Sequence, residues 1–171
     1  MPITTPVDLL AHLSDLAISS VTTEHPPVHT VEEAKATHDQ IPGCHCKNLF
    51  LKDAKGQLWL VVCPYDRVVD LKTLHRRIGA ARLSFGKPEL LDAVLSVRPG
   101  SVTPFALVND TAHRVKVVLD RAMMAQERLN YHPLVNTATT TISAADLRRF
   151  LAACGQSVAE VDLETPEIAG A

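Results

Sequence analysis

The stretch Cys44-His45-Cys46-Lys47-Asn48-Leu49-Phe50-Leu51-Lys52-Asp53-Ala54-Lys55-Gly56-Gln57-Leu58-Trp59-Leu60-Val61-Val62-Cys63 decides the fold. Residues 45–51 and 57–63 are rich in strand formers, and Asp53-Ala54-Lys55-Gly56 between them is a cluster of turn formers. Together they predict a β-hairpin. Leu58 to Cys63 is the longest purely apolar run of the chain, which places the hairpin in a core sheet. The same run is far short of the roughly 18 apolar residues that a membrane-spanning helix needs.

On the N-terminal side, Thr30-Val31-Glu32-Glu33 is a capping box: the Thr30 hydroxyl takes the N–H of Glu33, and the Glu33 carboxylate reaches back to the N–H of Thr30. A helix begins there and stops before Pro42-Gly43. Ile18 to Glu24 is β-branched and ends at Pro26-Pro27, so it reads as a strand. Thr5-Pro6-Val7-Asp8 opens a first helix over 6–17, with Leu9, Leu10, Leu13 and Leu16 at helical spacing. On the C-terminal side, Asp70 caps a helix that turns Leu71, Leu74 and Ile78 inward. A short segment, Arg82 to Phe85, precedes a helix opening at Lys87-Pro88. Arg98 to Pro104, with two prolines and a glycine, is an ordered loop. Phe105 to Val108, Val115 to Leu119, Thr137 to Ile142 and Val158 to Leu163 read as strands. Ser143 caps a last helix with Leu147, Phe150 and Leu151 inside and Gly155 as its C-cap.

Strands and helices are interspersed without a regular βαβ rhythm. The expected class is α/β in the α+β sense: a mixed, largely antiparallel central sheet or partial barrel surrounded by helices. At 171 residues, 46% hydrophobic and 21% charged, the chain is an ordinary globular protein. One domain over 1–163 and a flexible tail over 164–171 are expected.

Net charge is −2, from 17 basic and 19 acidic residues, which lacks the overall positive charge of a general nucleic-acid binder. Arg67 to Lys87 is different. It carries six basic residues (Arg67, Lys72, Arg76, Arg77, Arg82, Lys87) against Asp70 alone, so it stands at +5 and the remainder at −7. Such a face suits a short piece of phosphate backbone, or is simply solvated.

Cys44-His45-Cys46 has metal-ligating residue types, yet structural zinc sites space their cysteines two to four apart and need a second pair, which the sequence lacks. Successive strand residues also point to opposite faces. Buried, small, apolar cysteines are the reading that follows, with no metal. Four cysteines are too sparse for a disulfide scaffold. The N-terminus lacks the basic start and apolar centre of a secretory signal, so the cytoplasm is the expected compartment. Eight histidines leave a Cys/His nucleophilic pair open, because such pairs assemble in space. No G-x-S-x-G elbow, P-loop or G-x-G-x-x-G occurs.

Three short pieces remain: Lys47-Asn48-Leu49-Phe50-Leu51-Lys52-Asp53, Gly100-Ser101-Val102-Thr103-Pro104, and Tyr131-His132-Pro133-Leu134-Val135-Asn136-Thr137. In this order and spacing, with Val108-Asn109-Asp110 and the helix start at Ile142-Ser143, they resemble the prolyl-tRNA editing family. That family includes the YbaK proteins and the editing domain inserted into some prolyl-tRNA synthetases. The sequence is most similar to its freestanding ProXp-ala branch, and the resemblance runs from about Val7 to Leu163.

The resemblance implies the editing-domain fold and a cytoplasmic deacylase without metal or organic cofactor, acting in trans on alanyl-tRNA(Pro). It implies that Lys47 holds the substrate's terminal adenosine and that the Gly100–Pro104 loop turns backbone N–H groups to the ester oxygen. Pro104 has no N–H, which leaves Gly100, Ser101, Val102 and Thr103 as donors. His132 shapes the pocket or positions the attacking water. Asn48, Ser84 and Asp110 are weaker pocket candidates. Lys52 and Arg82 match positions that grip the acceptor stem, with Arg76 and Arg77 as helpers. The implied partner is the acceptor end of tRNA(Pro) carrying alanine, with prolyl-tRNA synthetase or an elongation factor as transient partners, and neither DNA nor membrane. The rivals are a cysteinyl-tRNA(Pro) deacylase of the YbaK type and a non-catalytic binder of the tRNA end.

Overall fold

The computed structural model describes residues 1–164, so the tail expected over 164–171 lies, except for Glu164, outside the described residues. The strands are β1 (Val21–Glu24), β2 (Cys44–Asp53), β3 (Leu58–Pro64), β4 (Leu83–Phe85), β5 (Val115–Asp120), β6 (Arg128–Tyr131), β7 (Ala138–Ser143) and β8 (Val158–Val161). The helices are α1 (Pro6–Asp15), α2 (Val31–Gln40), α3 (Leu71–Ile78), α4 (Pro88–Leu95), α5 (Arg121–Met124) and α6 (Ala144–Ala153). One sheet runs in the order β1-β7-β6-β2-β3-β5-β8, and β4 pairs with β2 outside that row. Pairs β1–β7, β2–β3, β2–β4 and β6–β7 are antiparallel, while β2–β6, β3–β5 and β5–β8 are parallel. The expected mixed sheet with helices around it is present. Among the described residues no helix is long and apolar enough to cross a membrane.

Strand β3 lies between β2 and β5 and is buried on both faces, which is why it reads as an unbroken apolar run. Its alternate residues feed two cores. Leu58, Leu60 and Val62 pack with Leu91 and Leu95 of α4, Phe105 and Leu107, and Leu147 and Phe150 of α6. Trp59, Val61 and Cys63 pack with Leu74 of α3 and with Leu163. The hairpin turn is pinned by Asp53, whose carboxylate accepts from the N–H groups of Lys55, Gln57 and Ala81 and from the Trp59 indole at 3.1 Å. Burial of Asp53 opposes its ionisation, but these donors outweigh it and hold the carboxyl below its ordinary pKa.

Caps set the helix starts: Thr5 accepts from Asp8, Thr30 from Glu33, Asp70 from Lys72 and Ser143 from Asp146. The capping box of α2 differs in one arm, since the Glu33 carboxylate takes the N–H of His29 instead of that of Thr30. Phe105 to Val108 is not a strand. Residues 104–109 form a 3₁₀ helix with Pro104 in its first turn and the Thr103 hydroxyl capping the Phe105 N–H. A short buried apolar run has no periodicity to separate strand from helix, and the proline decides it. The strand expected from Ile18 begins only at Val21, because Ile18 turns into the core after α1. Two elements, α5 and β6, had no sequence signal; both are four residues long.

Gly86 follows β4 and donates its N–H to the Phe50 carbonyl at 2.9 Å. A Cβ at this position would stand 2.3 Å from the Phe50 ring, and Phe50 is buried. Gly86→Ala is therefore expected to cost about 1–3 kcal/mol by overpacking. The change in urea midpoint at constant slope measures it.

Candidate active site

A cavity of about 230 Å3 is walled by α2, the start of β2 and the β6–β7 connection. His132 follows β6 and lines it, with Asn130 and Tyr131 before it and Thr139 of β7 across the turn. The His132 Nδ1 lies 3.1 Å from the carbonyl oxygen of Ala138. A carbonyl only accepts, so Nδ1 carries the proton and the lone pair of the neutral ring sits on Nε2. Burial pushes the His132 pKa below its ordinary value and His25 pushes it the same way, while the Ala138 carbonyl opposes them. The ring is neutral at pH 7.

Asn48 of β2 lines the same cavity, and its Oδ1 is buried with no hydrogen-bond partner. Two acceptors, His132 Nε2 and Asn48 Oδ1, thus belong to one cavity. A buried acceptor without a donor costs about 1–3 kcal/mol, so the cavity is suited to a ligand that donates, such as a protonated amine.

Three further histidines surround this space. His38 of α2 stacks on His45 of β2 with ring centres 4.1 Å apart, and Tyr65 meets His38 edge-on at 4.7 Å. Burial lowers the pKa of His38, and His45 and His132 lower it further against the opposing effect of Asp39. His45 Nε2 donates to the Ile41 carbonyl at 2.8 Å, and His25 links Pro26 O to the Thr139 hydroxyl. The eight histidines were visible in the sequence, but nothing in their spacing showed that four of them share a cavity. Among the described residues no group of three or more His, Cys, Asp or Glu is arranged to hold a metal ion.

Lys47 lies on β2 between Cys46 and Asn48, both in the cavity wall, and is itself half-buried opposite Cys63 of β3. Strand alternation sets its side chain on the face shared with Leu49 and Leu51, opposite the face that Cys46 and Asn48 turn to the cavity, so Lys47 does not line the cavity and neither does the Gly100–Pro104 loop. Its ammonium pairs with no carboxylate among the described residues. In the Gly100–Pro104 loop, the Ser101 N–H is used internally, on Arg98 and Pro99 carbonyls. The N–H groups of Gly100, Val102 and Thr103 meet no acceptor among the described residues. Gly100 has φ +80°, and a Cβ there would lie 4.0 Å from the Asn136 amide, so the loop abuts the turn that carries His132. Thr103 and Pro104 are buried, and they anchor the bend.

The weaker candidates are placed elsewhere. Asp110 is 3% exposed, and its carboxylate accepts the N–H groups of Arg114 and Val115, which starts β5. It does not line the cavity. Ser84, Lys52 and Arg82 share a second, more open groove of about 730 Å3 with Phe85 and Lys87, between β4 and α4. Arg76 and Arg77 line a third cleft on α3, where the Arg77 guanidinium donates to the carbonyls of Asp162 and Glu164.

Residues 25–150 match the aminoacyl-tRNA editing domain family. The chain is 37% identical over 156 residues to the prolyl-tRNA editing protein ProX of Acetoanaerobium sticklandii, covering 91% of this chain and 95% of that one. It is 43% identical over 152 residues to the prolyl-tRNA synthetase associated domain-containing protein 1 of Danio rerio, covering 85% and 83%. Among solved structures, hypothetical protein APE2540 superposes with a TM-score of 0.69 at 20% identity, over 92% of this chain and 99% of that one, a likeness of fold. Sheet, cavity and sequence define an editing domain. The chain belongs to the aminoacyl-tRNA editing family and is by class an aminoacyl-tRNA deacylase.

The depressed pKa of His132 fixes the sign of its pH dependence. Hydrolysis that needs the free Nε2 lone pair should hold its rate down to pH 6.5 and fall only below it. As pH falls through 6.5, the unfolded imidazole binds its proton before the folded one does, so the stability difference shrinks over the same range. A kcat/KM profile and urea midpoints between pH 5 and 8 test both; an acid limb centred above 6.5 contradicts the assignment.

Proposed function

We propose that the protein hydrolyses the ester of alanyl-tRNA(Pro), acting in trans in the cytoplasm on the mischarged acceptor end. The observation that carries this reading is the buried Asn48 Oδ1, which has no donor, in a cavity of about 230 Å3 that His132, with its lone pair on Nε2, also lines. That volume is below the roughly 300–1,000 Å3 of drug-sized sites. It suits an amino-acid moiety whose α-ammonium supplies the missing donors. The curated relatives bear names of prolyl-tRNA editing and prolyl-tRNA synthetase association, which supports proline tRNA as the adaptor.

The selective need is physical. A synthetase pocket shaped for proline rejects the smaller alanine by only about 1–3 kcal/mol, because a few missing methylenes are worth no more. A second pocket that excludes proline by size completes the sieve. In this reading the bulk of Val28 and Thr37 on the cavity wall limits the side chain that is admitted.

In this reading Lys47 acts outside the cavity, where it holds the phosphate and terminal adenosine as a point charge. The ester carbonyl faces the Gly100–Pro104 loop, where the N–H groups of Gly100, Val102 and Thr103 receive the negative charge that builds on its oxygen. Ser101, tied to its own loop, contributes shape rather than a donor. Water attacks the carbonyl carbon, the ribose oxygen leaves with a proton, and the neighbouring ribose hydroxyl assists. His132 orients the ammonium or the water through Nε2, and no covalent intermediate forms. Lys52, Arg82 and Ser84 line the groove that takes the acceptor stem, with Arg76 as a peripheral helper. Asp110 and Arg77 act as structural ties.

Purified protein is to be incubated with alanyl-, cysteinyl- and prolyl-tRNA(Pro). Release of alanine alone is the expected outcome; release of cysteine alone moves the protein to the cysteine-specific branch. Lys47→Ala should lower kcat/KM by on the order of 100-fold or more. Retained activity removes Lys47 from the site. Arg82→Ala should weaken tRNA binding and reduce the slope of log K against log salt by about one unit.

A further inference from the structure

The cysteines that precede Lys47 are absorbed by none of the chemistry above. Cys44 and Cys46 are two residues apart on β2, and their sulfurs lie 3.8 Å apart with the Cys46 thiol donating to Cys44. Both are free thiols. Cys46 lines the active-site cavity, and Cys44 is buried behind it. The bond from Cys46 makes the Cys44 thiol easier to ionise, against the effect of burial, while the Cys46 thiol becomes harder to ionise. The pair thus gives up one proton readily and the second reluctantly.

The sulfurs are in contact, and a bond between them needs the backbone to move: residues two apart in a strand hold their Cα and Cβ atoms about 6.4–6.8 Å apart, while a disulfide needs the Cβ atoms at about 3.5–4.5 Å. Backbone pairing is also least continuous here: Cys44 and His45 pair with β6, whereas Cys46 is the first residue to pair with β3. Cys63 and Cys154 are outside this arrangement. Burial raises the pKa of each to about 11, so neither competes as a thiolate.

We propose that Cys44 and Cys46 are an oxidation-sensitive dithiol that hydrogen peroxide entering the cavity converts into a disulfide, switching deacylation down until a thiol reductant reopens it. The Cys44 sulfur, 3.8 Å from Cys46 at the cavity wall, takes one oxygen from peroxide and becomes a sulfenic acid as water leaves. The Cys46 sulfur then displaces hydroxide from it, and its own proton leaves with that hydroxide as a second water. Two thiols lose two electrons and peroxide gains them. Closure draws the sulfurs from 3.8 Å to about 2.05 Å and tightens the pleat of β2 immediately before Lys47 and Asn48. The loss of activity rests on the reading of those two residues as substrate-holding; the covalent step does not.

The experiment uses the whole reduced chain, treated with hydrogen peroxide, alkylated and digested without reductant. Peptide masses are read beside the hydrolysis rate on whichever aminoacyl-tRNA of the panel above is the substrate. The expected result is a Cys44–Cys46 peptide lighter by about 2 Da, the two lost hydrogens. The rate falls on the order of 10–100-fold and returns with dithiothreitol. Cys44→Ala and, separately, Cys46→Ala should lose this response, each judged against its own reduced rate. Free thiols after treatment, a bridge to Cys63 or Cys154, or a closed Cys44–Cys46 bridge with an undiminished rate overturns the proposal. A closed, slowed enzyme in which Lys47→Ala is fully active upholds the dithiol and refutes the assignment of Lys47.

Discussion

Strand β2 pairs with three other strands, and the rest of the molecule is arranged by that fact. Its first two residues bond to β6, its length from Cys46 to Lys52 to β3, and its last three residues to β4. β6 lies along one edge of β2 and β3 along the other, and the two pairings meet end to end at residues 44–46. The histidine-lined cavity opens at that point. The groove with Lys52 and Arg82 lies at the opposite end of the same strand. The distance between the cavity and the basic groove is therefore set by one rigid element, which is how a site gains precision over one built on loops.

The electrostatics of the cavity follow from burial. Desolvation holds His132 and His38 below the ordinary imidazole pKa, a neighbouring imidazole pushes each the same way, and Asp39 opposes this at His38. Asp53, Asp110 and Asp120 are bound in structural ties elsewhere. His132 stays neutral and offers a lone pair instead of a charge. Positive charge lies outside the cavity, on Lys47 and on Lys52, Arg82 and Lys87 of the groove.

The hairpin, the caps of α1, α3 and α6 and the double burial of β3 were legible in the residues, because each depends on local spacing or on a single buried run. The 3₁₀ helix at 104–109 and the two four-residue elements were not, since a run that short has no period to read. Lys47, His132 and the 100–104 bend were singled out only through the resemblance, and of these His132 alone lines the cavity. Asp110 looked like a pocket residue and is a backbone tie, a distinction that rests on which N–H groups lie within reach of its carboxylate. Cys44-His45-Cys46 looked like a failed metal motif. The fold shows two sulfurs in contact and one imidazole turned to a helix end.

The sequence by itself determined the sheet's central hairpin, the helix boundaries with side-chain caps and the family, because these are written in neighbouring residues and in short strings. The tertiary structure alone decided that histidines 25, 38, 45 and 132 share one cavity, that Asn48 Oδ1 is left without a donor, and that Arg77 is tied to the carbonyls of Asp162 and Glu164 while Arg82 lines an open groove. These are contacts between residues tens of positions apart. They come into being only when β2 is folded against β6, β3 and β4 at once.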